Sequence, residues 1–171
     1  MPAMQIRSLS GVDADALFQL RREALLDSPL AYSASVEDDV WTSVDVVREQ
    51  LESRNGSQVF GAFAGGLHGM LGLGRARHAK SVRKVFLWGM YVSPQWRAQG
   101  TGTRLLAAAL AHARNLAGVR AVHISVTEAA PAAQRLYERA GFRVWGTEPD
   151  SIQVGEHLLS EYHMILRLPA P

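Results

Sequence analysis

The chain of 171 residues contains no cysteine. That absence excludes disulfides, Cys-ligated zinc, iron–sulfur clusters and a cysteine nucleophile together, so a nucleophile is expected from a substrate or cofactor. No run of eighteen apolar residues occurs, and the opening MPAMQIRSLSG lacks the basic start and long apolar core of a signal peptide. A cytoplasmic protein without membrane contact is the expectation. A dominant charge is missing as well. The formal net charge is +2, too small to argue for nucleic acid, and the lysines and arginines form no long block. The densest basic stretch, RARHAKSVRK from Arg75 to Lys84, lies between apolar segments and reads most simply as a solvated hairpin loop, with a phosphate-binding patch as the alternative. The six histidines show no HExxH-like spacing, and no metal is expected.

What is present is the composition of a globular protein, with 47% hydrophobic and 20% charged residues and seven scattered prolines. The length suits one well-buried domain, residues 1–171, with disorder expected only at the ends. MQIRSLS alternates weakly and predicts a first strand. Leu17, Leu20, Ala24 and Leu25 then recur at helical spacing, with Asp13 placed to cap the start and Pro29 to stop the helix. A second helix is predicted over about residues 44–53, after a loop carrying Tyr32, Glu37, Asp38, Asp39 and Trp41. Two extended runs flank Gly65-Gly66, which fits the positive φ values of a two-residue hairpin turn. KVFLWGMYV, residues 84–92, is nearly all apolar and predicts a strand covered on both faces.

The stripe Leu105, Leu106, Ala109, Leu110, Ala113, Leu116 and Ala117 predicts a helix ending near Gly118. AVHISV is the next strand, PAAQRLYERAG a helix with proline at its start and glycine past its end, and FRVWGT and SEYHMILRL the last strands. The two strand–helix–strand passages argue for a mixed sheet with helices on its faces.

The junction VSPQWRAQGTGTRLLAAAL reads either as a tight strand-to-helix turn in which glycine relieves crowding or as an anion site. A loop with Gly100 and Gly102 opening a helix aims unpaired N–H groups and the positive end of a helix dipole at one spot, which suits phosphate. A nucleotide-hydrolase P-loop would need a lysine after its last glycine, where Thr103-Arg104 stand. A dinucleotide fingerprint would need glycine where Leu105 stands. The pattern that fits is Arg/Gln-x-x-Gly-x-Gly/Ala, met by RAQGTG, Arg97 to Gly102. With WGMYV before it and VTEAAPAAQRLYERAGF after it, residues 126–142, the sequence resembles the GNAT (GCN5-related N-acetyltransferase) family of acetyl-CoA-dependent enzymes.

The resemblance implies an α/β (α+β) fold with a mixed, mostly antiparallel central sheet of about seven strands and helices on both faces. It implies acetyl-CoA as acyl donor, with its pyrophosphate on Arg97, Ala98, Gln99, Gly100, Thr101, Gly102 and Thr103, its pantetheine arm along Met90, Tyr91 and Val92, and Ala133 and Tyr137 beside it. Tyr137 stands at the family's general-acid position: a phenol of reference pKa about 10 keeps its proton at neutral pH and can donate it to the leaving thiolate. Two positions depart from the pattern. Ala130 replaces the usual asparagine before Pro131, and VFLWGMYV has no acid or histidine to act as base. Glu37 and Asp38 are then candidates for the base, with Tyr32, Glu37, Trp41 and Trp88 for the acceptor pocket and His157, Glu161 and His163 as further acceptor-side residues. The implied partner is a small-molecule or peptide amine, with the chain a monomer or homodimer. A non-catalytic acyl-CoA sensor is the alternative.

Overall fold

The computed structural model describes residues 3–53 and 56–169. Seven strands form one sheet in the order β1-β2-β3-β4-β5-β7-β6. They are β1 (Gln5–Ser8), β2 (Gln58–Phe63), β3 (Leu67–Arg75), β4 (Lys84–Val92), β5 (Ala121–Thr127), β6 (Arg143–Val154) and β7 (His157–Arg167). The β4–β5 pair is parallel and the other ladders are antiparallel. The helices are α1 (Ala14–Asp27), α2 (Val44–Glu52), α3 (Thr101–Asn115) and α4 (Pro131–Arg139). The mixed sheet and the element order are those expected of the sequence, and no helix among the described residues is long and apolar enough to cross a membrane.

Strand alternation divides the core in two. Phe60, Leu71, Leu73 and Val85 meet the buried stripe of α3, Leu105, Leu106, Ala109, Leu110 and Ala113, and continue to Tyr137 and Phe142. Val59, Met70 and Tyr91 point the other way, onto Leu17, Leu20 and Ala24 of α1 and Val47 of α2. Helices therefore cover both faces. On the α1–α2 side their core reaches only as far as β4, whereas β5, β7 and β6 present polar and aromatic side chains there.

Four local expectations are corrected. Asp13 does not cap α1 with its side chain. One 3-10 turn, Gly11–Asp13, precedes the helix, so the Asp13 carboxylate reaches back to the Ser10 N–H at 3.0 Å and to the Arg7 guanidinium at 2.7 and 2.9 Å. The β2–β3 loop has three residues, Ala64 to Gly66, closed by Ala64 N–H to Gly66 C=O at 3.0 Å, and of its two glycines only Gly65 takes positive φ. β4 is not covered on both faces, because Phe86 is 41% exposed where the α1–α2 layer stops. α3 ends at Asn115, and Leu116 and Ala117 belong to the turn beyond it.

Candidate active site

The site begins where two parallel strands part. β4 and β5 pair at Lys84–Ala121, Val85–Val122 and Phe86–His123 and no further. Gly89, at φ +66°, lies in a bulge of β4, where the pairing with β3 skips from Trp88–Gly72 to Tyr91–Met70. Past the bulge Tyr91 is paired with Met70 on β3, so Met90 and Val92 turn their backbone groups into the gap between β4 and β5. Tyr91, expected on the backbone-binding stretch, faces β3 through this pairing. Its side chain packs in the core and donates a hydrogen bond to Glu23 at 3.0 Å.

The loop after β4 leads directly into α3. Ala98 and Gly100 have φ of 57° and 80°, which curls the chain so that successive amides converge. Among the described residues the N–H groups from Ala98 to Thr103 donate to no protein acceptor, and the ladder resumes with Arg104 N–H on Gly100 C=O at 3.0 Å. A Cβ on Gly102 would meet only Leu136, at 3.4 Å, so space above the helix start is open. This cradle fits a pyrophosphate. Arg97 is not part of it. Its N–H bonds Pro94 C=O at 3.2 Å, and its guanidinium turns back to Val92 C=O at 2.8 Å and to the Asp27 carboxylate.

Tyr137 is carried on α4. Its ring is buried in the α3-side core against Phe142, with centroids 5.7 Å apart. Burial, reinforced by nearby Tyr32, raises its pKa above the ordinary phenol value, so it holds its proton at neutral pH. No protein group among the described residues accepts from its hydroxyl, and no fully occluded side-chain oxygen is left unpaired. The Tyr137 oxygen therefore keeps only a trace of exposure on a side chain that is otherwise buried, while Ala133, one turn earlier on the same helix, packs partly buried against the core. Ala130 stands at the N-cap of α4 without a side-chain bond.

A cleft of about 270 Å³ is lined by Tyr32, Phe86, Trp88, His123, Ser125, Trp145, Glu161 and His163, among others. Tyr32 enters from the α1–α2 loop and donates to Met90 C=O at 2.7 Å. That loop is pinned by a two-pronged Arg21–Asp39 ion pair at 2.9 and 3.0 Å, with Arg21 also 5.3 Å over the Tyr32 ring, and by Thr127 Oγ1 donating to Leu30 C=O at 2.8 Å.

Of the sequence candidates, Tyr32, Trp88, Glu161 and His163 come together in the cleft. Trp41 does not. It is buried beneath Trp88, edge-on at 5.5 Å, and donates to Gln50 at 2.7 Å. Glu37 is exposed outside the lining, and Asp38 accepts from the Ser35 N–H and hydroxyl at 2.6 and 2.9 Å, a turn contact that holds its carboxyl below the usual range. His157 sits at the β6–β7 turn, paired with Val154.

The sequence reading missed Ser125, His123, Trp145 and Glu148. Ser125 Oγ and His163 Nδ1 are 2.8 Å apart, and His163 Nε2 is 3.0 Å from Glu148 Oε2, while Trp145 stacks on the imidazole at 5.5 Å. Burial, helped by Lys84 and Arg167, lowers the pKa of His123. Alternation along β5 and β7 could have put Ser125 and His163 on one face, but their pairing needed the register.

Comparison with known proteins shows the family and the fold. The model of the acetyltransferase (GNAT) family matches residues 17–142. A mycothiol acetyltransferase of Salinispora arenicola is 33% identical over 143 residues, which cover 79% of this chain and 43% of that protein, so the chain spans less than half the length of this curated relative. Among solved structures, a GNAT-family acetyltransferase of Streptococcus pneumoniae superposes with a TM-score of 0.87 at 20% identity, covering 98% of this chain and all of that one. The Salmonella typhimurium protein yncA, solved with its cofactor acetyl-CoA, gives 0.83 at 22% identity, covering 99% and 96%.

Proposed function

The chain belongs to the acetyltransferase (GNAT) family, and on that premise we propose that it transfers acetyl from acetyl-CoA to a primary amine by direct attack in a ternary complex. The observation that carries this reading is the combination of three features. Six N–H groups with no protein acceptor among the described residues, Ala98 to Thr103, follow β4. The Met90 and Val92 stretch of β4 runs unpaired with β5, its carbonyls accepting from the Tyr32 and Arg97 side chains. Tyr137 on α4 is a buried phenol with no acceptor among the described residues.

When bound, acetyl-CoA supplies a thioester already activated toward amines. The chain's own residues do the rest. The amides of Ala98 to Thr103 would hold the pyrophosphate, and the backbone of Met90 and Val92 would hold the amide-rich arm in extended form. Tyr137, kept protonated by burial, would give its proton to the departing sulfur. The aromatic rings of Tyr32, Phe86, Trp88 and Trp145 with the Glu161 carboxylate suit an amine carrying an apolar portion, and the cleft volume suits a small molecule or the end of a peptide. Absence of cysteine accords with direct attack.

The test is a calorimetric titration with acetyl-CoA, followed by a screen of polyamines, aminoglycosides, amino acids and peptide amino termini for acetyl-CoA-dependent thiol release. Binding with turnover on one acceptor class is expected. Binding without turnover across the screen would establish instead an acyl-CoA sensor, a reading favoured by Ala130 at the uncapped start of α4. Failure to bind acetyl-CoA would overturn both.

A further inference from the structure

Three side chains from three adjacent strands form a continuous hydrogen-bonded line at the cleft. Ser125 on β5 lies directly opposite His163 on β7, two residues past the last position at which β5 pairs with β4. Glu148 reaches the far side of the imidazole from β6. A register shift between Val144 and Gly146 throws Trp145 out of the ladder and onto the ring. The carboxylate at Nε2 selects the tautomer with its proton there, which leaves Nδ1 to accept from the Ser125 hydroxyl. Ser125 and His163 line the cleft, and nothing on the acid side of the proposed reaction uses them.

The other titratable groups lining the cleft are differently placed. Glu161, opposite Glu148 in the ladder, accepts from Ser151 Oγ at 2.6 Å. Tyr32 is committed to Met90. His123, two residues before Ser125 on the same face, has no hydrogen-bonded carboxylate among the described residues. An alkyl ammonium, of pKa about 10, must lose a proton before it can attack at neutral pH. The line through Ser125 ends on an imidazole whose positive charge has a carboxylate waiting 3.0 Å away.

We propose, resting on the acetyltransferase reading above, that Ser125, His163 and Glu148 are the proton relay that neutralises the acceptor ammonium. The ammonium N–H bond breaks as Ser125 Oγ takes that proton, and the Ser125 O–H bond breaks as His163 Nδ1 takes the other. The amine keeps the electron pair with which it attacks. The imidazolium stands beside Glu148, whose half-exposed side chain gives the proton a route to solvent. Ser125 touches the substrate, His163 is the proton sink acting through it, and Glu148 is a positioning residue.

The test compares wild type with Ser125→Ala, His163→Gln and Glu148→Gln in kcat/KM on an alkyl amine from about pH 6 to about pH 9.5, alongside calorimetric acetyl-CoA binding. His163→Gln is expected to lose about 10²-fold near pH 7, with acetyl-CoA affinity unchanged, and to recover as the amine deprotonates unaided. Ser125→Ala, the least disruptive change, is expected to follow the same profile. Nitrogen-15 NMR of the resting protein is expected to show the His163 proton on Nε2 and a shifted tautomer balance in Glu148→Gln. A loss equal at every pH, wild-type activity in His163→Gln, or a proton on Nδ1 in the resting wild type would overturn the relay alone. Wild type that binds acetyl-CoA and acetylates no amine would overturn the functional reading, and the relay with it.

Discussion

The Tyr32 hydroxyl donates to the Met90 carbonyl oxygen across 2.7 Å, tying the loop after α1 to the edge of β4 that is not paired with β5. The same edge is proposed to receive the cofactor's arm, so this bond is both structural and poised beside the reaction. Tyr32→Phe should destabilise the free protein by about 1 kcal/mol, the usual worth of one hydrogen bond. Saturating acetyl-CoA should shrink the deficit, because an amide of the arm supplies a donor at the edge. Thermal unfolding with and without acetyl-CoA checks this, and an equal deficit in both would refute the shared edge.

Tyr137→Phe removes one oxygen and keeps the ring that packs on Phe142. Fold and acetyl-CoA affinity should survive, while turnover falls by roughly 10²-fold or more. Steady-state kinetics on an accepted amine, paired with calorimetry, separate the two effects. Wild-type turnover would remove Tyr137 from the acid role.

Gly100 and Gly102 should respond differently. Gly100 has φ +80°, so Gly100→Val strains the backbone although a Cβ there would meet nothing within 4 Å. Gly102 has an open side-chain position with only Leu136 in reach, so Gly102→Val should fold nearly normally. Both should weaken acetyl-CoA binding, Gly102→Val by about tenfold or more, since roughly 1.4 kcal/mol corresponds to each factor of ten. Unchanged affinity in a folded Gly102→Val protein would dismiss the phosphate cradle.

Ala130 occupies the N-cap of α4 with no side-chain acceptor for the first turn. Ala130→Asn should raise stability by about 0.5–2 kcal/mol. Denaturation midpoints measure the gain, and a fall in the Michaelis constant for acetyl-CoA would add a cofactor contact at that position.

Asp13 gives a pH-dependent prediction. Its hydrogen bond from Arg7 lowers its pKa in the folded protein, so the stabilisation is present above the unfolded carboxyl value near 3.9 and is lost as pH falls through the lower folded value. Asp13→Asn should be less stable than wild type at pH 7 and equal to it in strong acid. Urea unfolding across this range checks the sign. A difference that persists undiminished in strong acid would assign the effect to packing.

Legibility in the sequence followed the range of the interactions. The apolar stripe of α3 and the glycines at its start are local signals. The stripe positions from Leu105 to Ala113 appear on the buried face as expected, though Leu116 and Ala117 fall beyond the helix, and Gly100 takes the left-handed region. Trp41 was named for the acceptor pocket as an aromatic in the loop between the first two helices, yet it lies in the core under Trp88. Asp38 was named for its charge, and the turn at Ser35 holds it instead. Chemical type was readable in each case, but orientation was not.

The sequence by itself determined the order of the elements, the loop able to receive an anion, and the exclusion of cysteine chemistry, because periodicity, glycine conformation and residue type are properties of short stretches. Only the tertiary structure decided that β4 and β5 part after Phe86–His123, and that Ser125, His163 and Glu148 meet across three strands. Cross-strand register arises from packing of the whole sheet between its helices, and a shift of one residue would send each of these side chains to the other face.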